Sequence, residues 1–332
     1  MAGEGCRRLC GVGLRLIIGF IALLAAIGTW ASAQDFPGGP VRLLVGFPAG
    51  GSTDLVARDV ASELEKTWGH AVVVENRGGA NGGIAAVQLA RTPADGKSLM
   101  LVVSGHVTNP LMTSDAGYDA IKDFTPISLV GSAPLLIFAH PTFPANNIRS
   151  LIELGREKPG TVSYSTPGVG SIHHLSMELM GSLTGARFTH IPYRGGGPAL
   201  NDALAGHVPV SMLSIVQALP HIEAKRIVPL AVTSPRAAGS LPGVPAVSEI
   251  GIPNYEAELW YAVLAPAGLS PAIADKINTD ITRAVKSAAM QKRFEGYGIL
   301  PIGSTRAELG TFLQSEIEKW RRVIASTGIR AN

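Results

Sequence analysis

The sequence predicts an α/β protein of two lobes joined by a double hinge, and three observations carry that expectation. Short β-branched runs alternate with stretches whose apolar residues recur at helical spacing, the rhythm of an α/β chain with mostly parallel sheets. Two long apolar passages, "TPISLVGSAPLLIFAHP" at 125–141 and "AELWYAVLAPAG" at 257–268, read as strands crossing between lobes. The 332 residues suffice for two cores, and 46% hydrophobic with 16% charged residues is a globular balance. Two consecutive domains joined by one linker are the alternative arrangement.

The chain opens with a basic segment, "MAGEGCRRLCGVGLR", and an apolar one, "LIIGFIALLAAIGTW", too short to span a membrane comfortably. Small residues at Ala31 to Ala33 follow, so 1–33 is expected to be a signal peptide cleaved after Ala33, with the mature chain starting at Gln34. Cys10 precedes the apolar core, which argues against a lipid anchor, and the Arg7-Arg8 pair is ordinary in a basic leader. Both cysteines, Cys6 and Cys10, fall in that leader, leaving no thiol for a disulfide, a redox pair or a cysteine-bound metal. The formal charge of +3 includes Arg7, Arg8, Arg15 and Glu4, so the mature chain carries about +1. It has no Lys/Arg cluster suited to nucleic acid and no second apolar run of membrane-spanning length.

After the leader, "VRLLVGF", "AVVVEN", "SLMLVVS", "TVSYS", "RFTHIPY", "VPVSML" and "IVPLAVT" read as strands, each preceding a Gly- or Pro-rich turn or an amphipathic stretch. Beyond the first strand, Val56, Val60 and Leu64 with the small Ala57 and Ala61 form one apolar helical face, and Gly69 is the expected stop. Helices are expected again around 272–286 and 306–326, after the chain returns to its first lobe. Residues 34–136 with 259–332 then form a discontinuous domain 1, and 137–258 form domain 2.

Glycine turns follow several of these strands: "FPAGGSTD" at 47–54, "STPGVGS" at 165–171 and "YRGGGP" at 193–198, where Pro198 suits a first helical position. Such turns gather at the carboxyl ends of strands, and glycine lets backbone N–H groups and the following helix dipole approach an anion. The phosphate-loop reading fails, because "FPAGGSTD" lacks a Lys-Ser/Thr pair and "ADGKSL" has Arg91 where the first glycine belongs. No Gly-x-Ser-x-Gly elbow follows a strand, so an exported α/β hydrolase using Ser171 and His174 is only the runner-up. His106, His173, His174 and His190 make no zinc-ligand spacing. Neither catalytic residues, nor a metal, nor a cofactor are expected. A receptor fold serving only as a protein-interaction module is a third reading.

Ten segments in order, among them "VRLLVGFPAGGSTDLVAR", "VVVENRGGANGGIAA", "KPGTVSYSTPGVGSIHHL", "IPYRGGGPALNDALAGHV" and "EIEKWRRVIASTGI", together resemble the Bug-type extracytoplasmic solute receptors, the substrate-binding proteins of tripartite tricarboxylate transporters. The resemblance covers essentially the whole mature chain. It implies a periplasmic-binding-protein-like fold of type II, a two-domain Venus flytrap with a double-strand hinge. It also implies a periplasmic, non-enzymatic, monomeric protein that captures a small carboxylate and passes it to permease subunits. The first-lobe wall would then be Phe47, Ala49, Gly50, Gly51, Ser52, Thr53 and Asp54, with Asp54 as helix cap or turn organiser, together with Ser104, His106 and Asn109. The second lobe would add Thr166, Gly168, Gly170, Ser171 and His174, then Tyr193, Arg194 and Gly195, and finally Ser214. Where the family often has an acidic or amide residue after "VPVSML", this chain has Ser214 and Ile215. With Phe47, Tyr193 and Ile215 expected nearby, the ligand is expected to be a plain organic acid, aromatic acids included, in preference to an amino acid.

Overall fold

The computed structural model describes residues 36–329 except 114, 235, 237, 253, 254 and 328. The expected leader and its cleavage point lie outside them. The first half of the chain runs β1 (Val41–Val45), α1 (Ser52–Trp68), β2 (Val72–Asn76), α2 (Gly83–Ala90), β3 (Ser98–Val102) and α3 (Gly105–Met112). β4 (Phe124–Ala139) leads to α4 (Ile148–Glu157), β5 (Ser163–Thr166), α5 (Ile172–Thr184), β6 (Thr189–Pro192), α6 (Gly196–Leu204), β7 (Val210–Ser214), α7 (Ile215–Glu223) and β8 (Val228–Val232). β9 (Glu258–Pro266) returns the chain to α8 (Pro271–Val285), α9 (Ala288–Tyr297), β10 (Leu300–Pro301) and α10 (Arg306–Thr327).

Burial explains these choices. Strands such as β3 are buried at every position and read as unbroken apolar runs, as strands covered on both faces do. On α1 the stripe Val56, Ala57, Val60, Ala61 and Leu64 is almost fully buried, and Gly69 ends the helix in the left-handed region at φ 67°.

The sheet order is β2-β1-β3-β9-β4-β7-β5-β6, with β10 and β8 also paired to β4. β1 lies parallel to β2 and β3, and β5 parallel to β6 and β7, as the sequence suggests. The pairings of β4 and β9 are antiparallel, so the sheets are mixed. The reason is connectivity: β4 leaves the first lobe and β9 comes back, and the two run in opposite directions.

β4 pairs with β9 as far as Pro134 opposite Glu258, and from Leu135 onward with β7 and β8. Proline has no N–H to give a ladder, which suits a position where one partner strand hands over to another. Thr233 fastens both chain crossings there: its hydroxyl accepts the Leu135 N–H at 2.9 Å, and its carbonyl accepts the Ala257 N–H at 3.1 Å.

The C-terminal helices are tied to the first lobe by buried carboxylates. Trp68 donates its indole N–H to Asp280 on α8 at 2.8 Å, and Trp260 and Trp320 both donate to Glu316 on α10 at 2.9 Å. No helix among the described residues is long and apolar enough to cross a membrane.

Candidate functional site

The turns after β1, β3, β5 and β6 face one another across a cleft. Its inner part is a cavity of about 40 Å³; its outer part is a broader space of about 1280 Å³, and Phe47, Pro48, Asn81, Pro167 and Gly195 line both. Four helices begin on the inner wall: Ser52 and Thr53 open α1, Gly105 opens α3, Ile172 and His173 open α5, and Gly196 and Gly197 open α6. The first N–H groups of a helix have no intrahelical partner, and the helix dipole adds to their attraction for negative charge. Among the described residues, no charged side chain lines the inner cavity. An anion there would meet backbone amides and neutral side chains alone. One terminus contributes about 0.3 to 1 kcal/mol, so four give about 1 to 4 kcal/mol. Micromolar binding needs about 8 kcal/mol, and side-chain contacts and burial must supply the difference.

Asp54 holds the first-lobe turn in shape. It accepts the Gly50 N–H at 3.0 Å, Arg58 Nε at 2.9 Å and Asn76 Nδ2 at 3.0 Å. Burial would raise its pKa, but these hydrogen bonds together hold it below the usual carboxylate range. The same Asn76 amide donates to Phe47 O, which pins the start of the turn.

A second first-lobe loop carries Ala80 and Asn81 in the left-handed region, uncommon for alanine and more readily adopted by asparagine. Ala80 and Asn81 have φ of 46° and 50°, a left-handed geometry that costs about 1 to 2 kcal/mol per residue. Asn109 holds the loop there by donating to Ala80 O at 2.6 Å and Asn81 O at 3.3 Å. Gly105 makes room, since a Cβ on it would come within 2.4 Å of Asn81 O. Asn81 lines the cavity, and its Nδ2 is buried and without a hydrogen-bond partner.

In the second lobe, Ser171 caps α5, accepting the His174 N–H at 3.3 Å and donating to Gly168 O at 2.8 Å. His174 stacks on His190 with ring centres 3.9 Å apart, and its Nδ1 accepts the Gly170 N–H at 3.2 Å. Burial pushes His174 down to about 4 and, with help from His174, His190 down to about 3. His190 Nε2 meets Thr166 Oγ1 at 2.6 Å. The Ser171 hydroxyl and the His174 imidazole are therefore both engaged by backbone and make no bond with each other, which is not the arrangement of a nucleophile and its base.

The lobes touch around the cavity. Thr108 on α3 donates its hydroxyl to Gly170 O at 2.9 Å, and Gly195 packs so closely on Pro48 that a Cβ would lie 3.0 Å from Pro48 Cδ.

This architecture recurs in known proteins. The family model described as "Tripartite tricarboxylate transporter family receptor" matches residues 56–329. The chain belongs to that family. Its curated relatives include protein BugT of Bordetella pertussis, 35% identical over 320 residues that cover 96% of this chain and 98% of BugT. A protein of R. palustris solved with adipate is 34% identical, with a TM-score of 0.86 over 89% of this chain and 99% of its own. The periplasmic binding protein BugD is 31% identical, with a TM-score of 0.85 over 90% of this chain and 100% of its own. The receptor thus has the two-domain, type II binding-protein fold, in a family of solute-binding receptors of the periplasm.

Of the residues nominated from sequence, Phe47, Ala49, Gly51, Ser52, Thr53, Ser171 and Gly195 line the receptor's inner cavity. Asn109, Gly168, Tyr193 and Arg194 line the outer cleft, where Arg194 is exposed and Tyr193 donates to Asp202. Gly50, Asp54, Thr166, Gly170 and His174 line neither space and shape the turns from behind. Ser104 and His106 sit beneath the first-lobe wall; His106 Nε2 bonds Ala120 O at 2.8 Å between Tyr118 and Phe124, and burial brings it down to about 4. Ser214 is buried close to Tyr261 and Ser52. Burial pushes the Tyr261 hydroxyl up to about 12, and the two serine hydroxyls lower it only partly because neither meets it in hydrogen-bonding geometry.

Sequence reasoning missed Asn81, His173, Gln217 and Leu259, which all line the inner cavity. Ile215, expected near the ligand, packs instead against Gly298, and the third residue of α7, Gln217, supplies a cavity amide where Ile215 suggested none. Pro198 stands third in α6, not first, leaving Gly196 and Gly197 to present their N–H groups. The signal for Asn81 is a polar residue set between glycines in "GGANGG".

Proposed function

We propose that this receptor captures a small organic carboxylate, a di- or tricarboxylate or an aromatic acid, in the cleft between its lobes. One carboxylate sits at the converging starts of α1, α3, α5 and α6, and the rest of the molecule extends toward the mouth, where Arg194 meets a second anionic group. The observation that carries this reading is the convergence of four helix N-termini on a cavity lined by no charged side chain. The adipate bound to the R. palustris relative is a ligand of this class.

Delivery of the ligand to permease subunits of a tripartite tricarboxylate transporter, or its report to a sensor, is the corresponding cellular role. In this reading the protein is a monomer without catalytic activity, freed into the periplasm by cleavage after Ala33. Residues 34–136 with 259–332 form one domain and 137–258 the other, which agrees with the handover of β4 partners at Pro134 and Leu135.

A thermal-shift screen of the chain from Gln34 onward against di- and tricarboxylates, aromatic acids and amino acids tests the proposal. A ligand at a hundred times its dissociation constant adds about 2.7 kcal/mol of stability, an easily read shift. A carboxylate hit weakened in Arg194→Gln supports both ends of the pose. A zwitterionic amino acid binding best, or no acid binding to protein stripped of ligand by denaturation and refolding, refutes it.

A further inference from the structure

One side chain in the inner cavity has a hydrogen-bonding capacity that its surroundings leave unused. His173, the second residue of α5, is only 5% exposed and lines the cavity, yet neither of its ring nitrogens has a hydrogen-bond partner. Its neighbour His174 is fully engaged by His190 and the Gly170 N–H, so the two adjacent histidines have separate tasks. Asn81, on the first-lobe wall of the same cavity, has a side-chain Nδ2 that is likewise buried and unpartnered, on a loop whose backbone Asn109 holds through Ala80 O and Asn81 O. A group that enters the cavity and bonds both relieves the cost of leaving two buried polar side chains unpaired at its wall.

Burial pushes His173 down to about 3, so at neutral pH its ring is uncharged, with one N–H and one bare lone pair. A carboxylate has acceptors only. It satisfies the His173 N–H and the Asn81 amide and leaves the lone pair bare. An ammonium would fill the lone pair, but the inner cavity has no acidic side chain to compensate its charge. A hydroxyl both donates and accepts: it gives its proton to the lone pair of His173 and takes the Asn81 N–H, a pairing that neither a carboxylate nor an ammonium offers.

Resting on the carboxylate-binding reading above, we infer that His173 and Asn81 form a hydroxyl-recognition subsite and that the receptor prefers hydroxycarboxylates over the same acids without the hydroxyl. A site built to bond a hydroxyl discriminates strongly against the analogue that lacks it, because its own polar groups are then left unpaired.

The test is calorimetric titration with three pairs of acids that differ by one hydroxyl: L-malate and succinate, 2-hydroxyglutarate and glutarate, mandelate and phenylacetate. The expected result is a dissociation constant at least about 10-fold lower for the hydroxy acid in any pair that binds. That preference collapses to about 3-fold or less in His173→Leu, chiefly through weaker binding of the hydroxy acid, and returns in part in His173→Gln, which again offers a donor and an acceptor. Should His173→Leu misfold by circular dichroism, Asn81→Gly, which keeps the left-handed backbone, serves in its place with the same expected loss of preference. Equal affinities within each pair, or a preference that survives in the variants, overturn the hydroxyl subsite while leaving carboxylate binding intact. If none of the six acids binds while another carboxylate in the wider screen does, the hydroxyl subsite falls and carboxylate binding stands; if no carboxylate binds at all, the functional reading falls with it.

Discussion

Replacing Thr108 by valine removes one hydroxyl and tests whether the contact between lobes governs ligand affinity. Thr108 is fully buried on α3, and its Oγ1 reaches Gly170 O, on the turn before α5, at 2.9 Å. Valine keeps the shape, so packing is preserved and the loss is confined to the hydrogen bond. With the lobes together, the Gly170 carbonyl is left facing a methyl group, at a cost of about 1 to 3 kcal/mol for an unpaired buried acceptor. With the lobes apart, water solvates it, and the variant loses nothing. The closed form is thus disfavoured by about 5- to 150-fold, and for a receptor that rests mainly open without ligand the dissociation constant of a ligand that binds only the closed form rises by the same factor. Titration calorimetry with the best acid from the screen measures this directly, with the melting temperature of ligand-free protein as control. An affinity unchanged within about 2-fold, in a variant that melts normally, would refute the idea that this bond forms part of a ligand-stabilised closure.

Three further outcomes follow from the same geometry. Gly195→Ala places a Cβ 3.0 Å from Pro48 Cδ on a backbone at φ +116°, so ligand affinity should fall by about 10-fold or more while secondary structure by circular dichroism is unchanged. Arg194→Gln, exposed at the mouth, should weaken a dicarboxylate by roughly 3- to 10-fold and a monocarboxylate hardly at all, as expected for a solvent-screened charge, and equal losses for both would contradict the proposed pose. His106, His173, His174 and His190 all have pKa values lowered by burial to between about 3 and about 4, so the folded state refuses protons that the unfolded chain accepts below about pH 6.5. Their stabilisation is complete above that pH and is lost as the pH falls toward 4, with a slope of up to about 1.4 kcal/mol per pH unit for each histidine. Urea midpoints at pH 7 and pH 5 check this, and equal midpoints would contradict it.

The alternation of apolar runs with helical spacing specified the α/β class, and the glycine turns after strands located most of the cleft wall, from Phe47 to Thr53 and again at Ser171 and Gly195. These features are legible because they are local: a helix N-terminus after a strand exposes amides whatever lies opposite. The C-terminal helices were legible for a similar reason, since their apolar periodicity lies within one stretch of chain. Which of two adjacent histidines faces the cavity was not legible. His173 and His174 are equivalent in sequence, and only the docking of His190 against one of them, from a different strand, turns the other into the cavity.

The same division holds for the molecule as a whole. By itself the sequence determined a receptor-like α/β chain with anion-attracting turns, because strand and helix periodicity and the unpaired amides at helix starts depend on neighbours a few residues away. Only the tertiary structure decided the interior of the cleft: Asn81 is aimed by Asn109 and Gly105, Gln217 replaces Ile215 on the wall, and Thr108 reaches Gly170 across the lobes. Each of those placements depends on packing between segments far apart in the chain, and side-chain direction at a helix start is fixed by what packs against it, which no local pattern records.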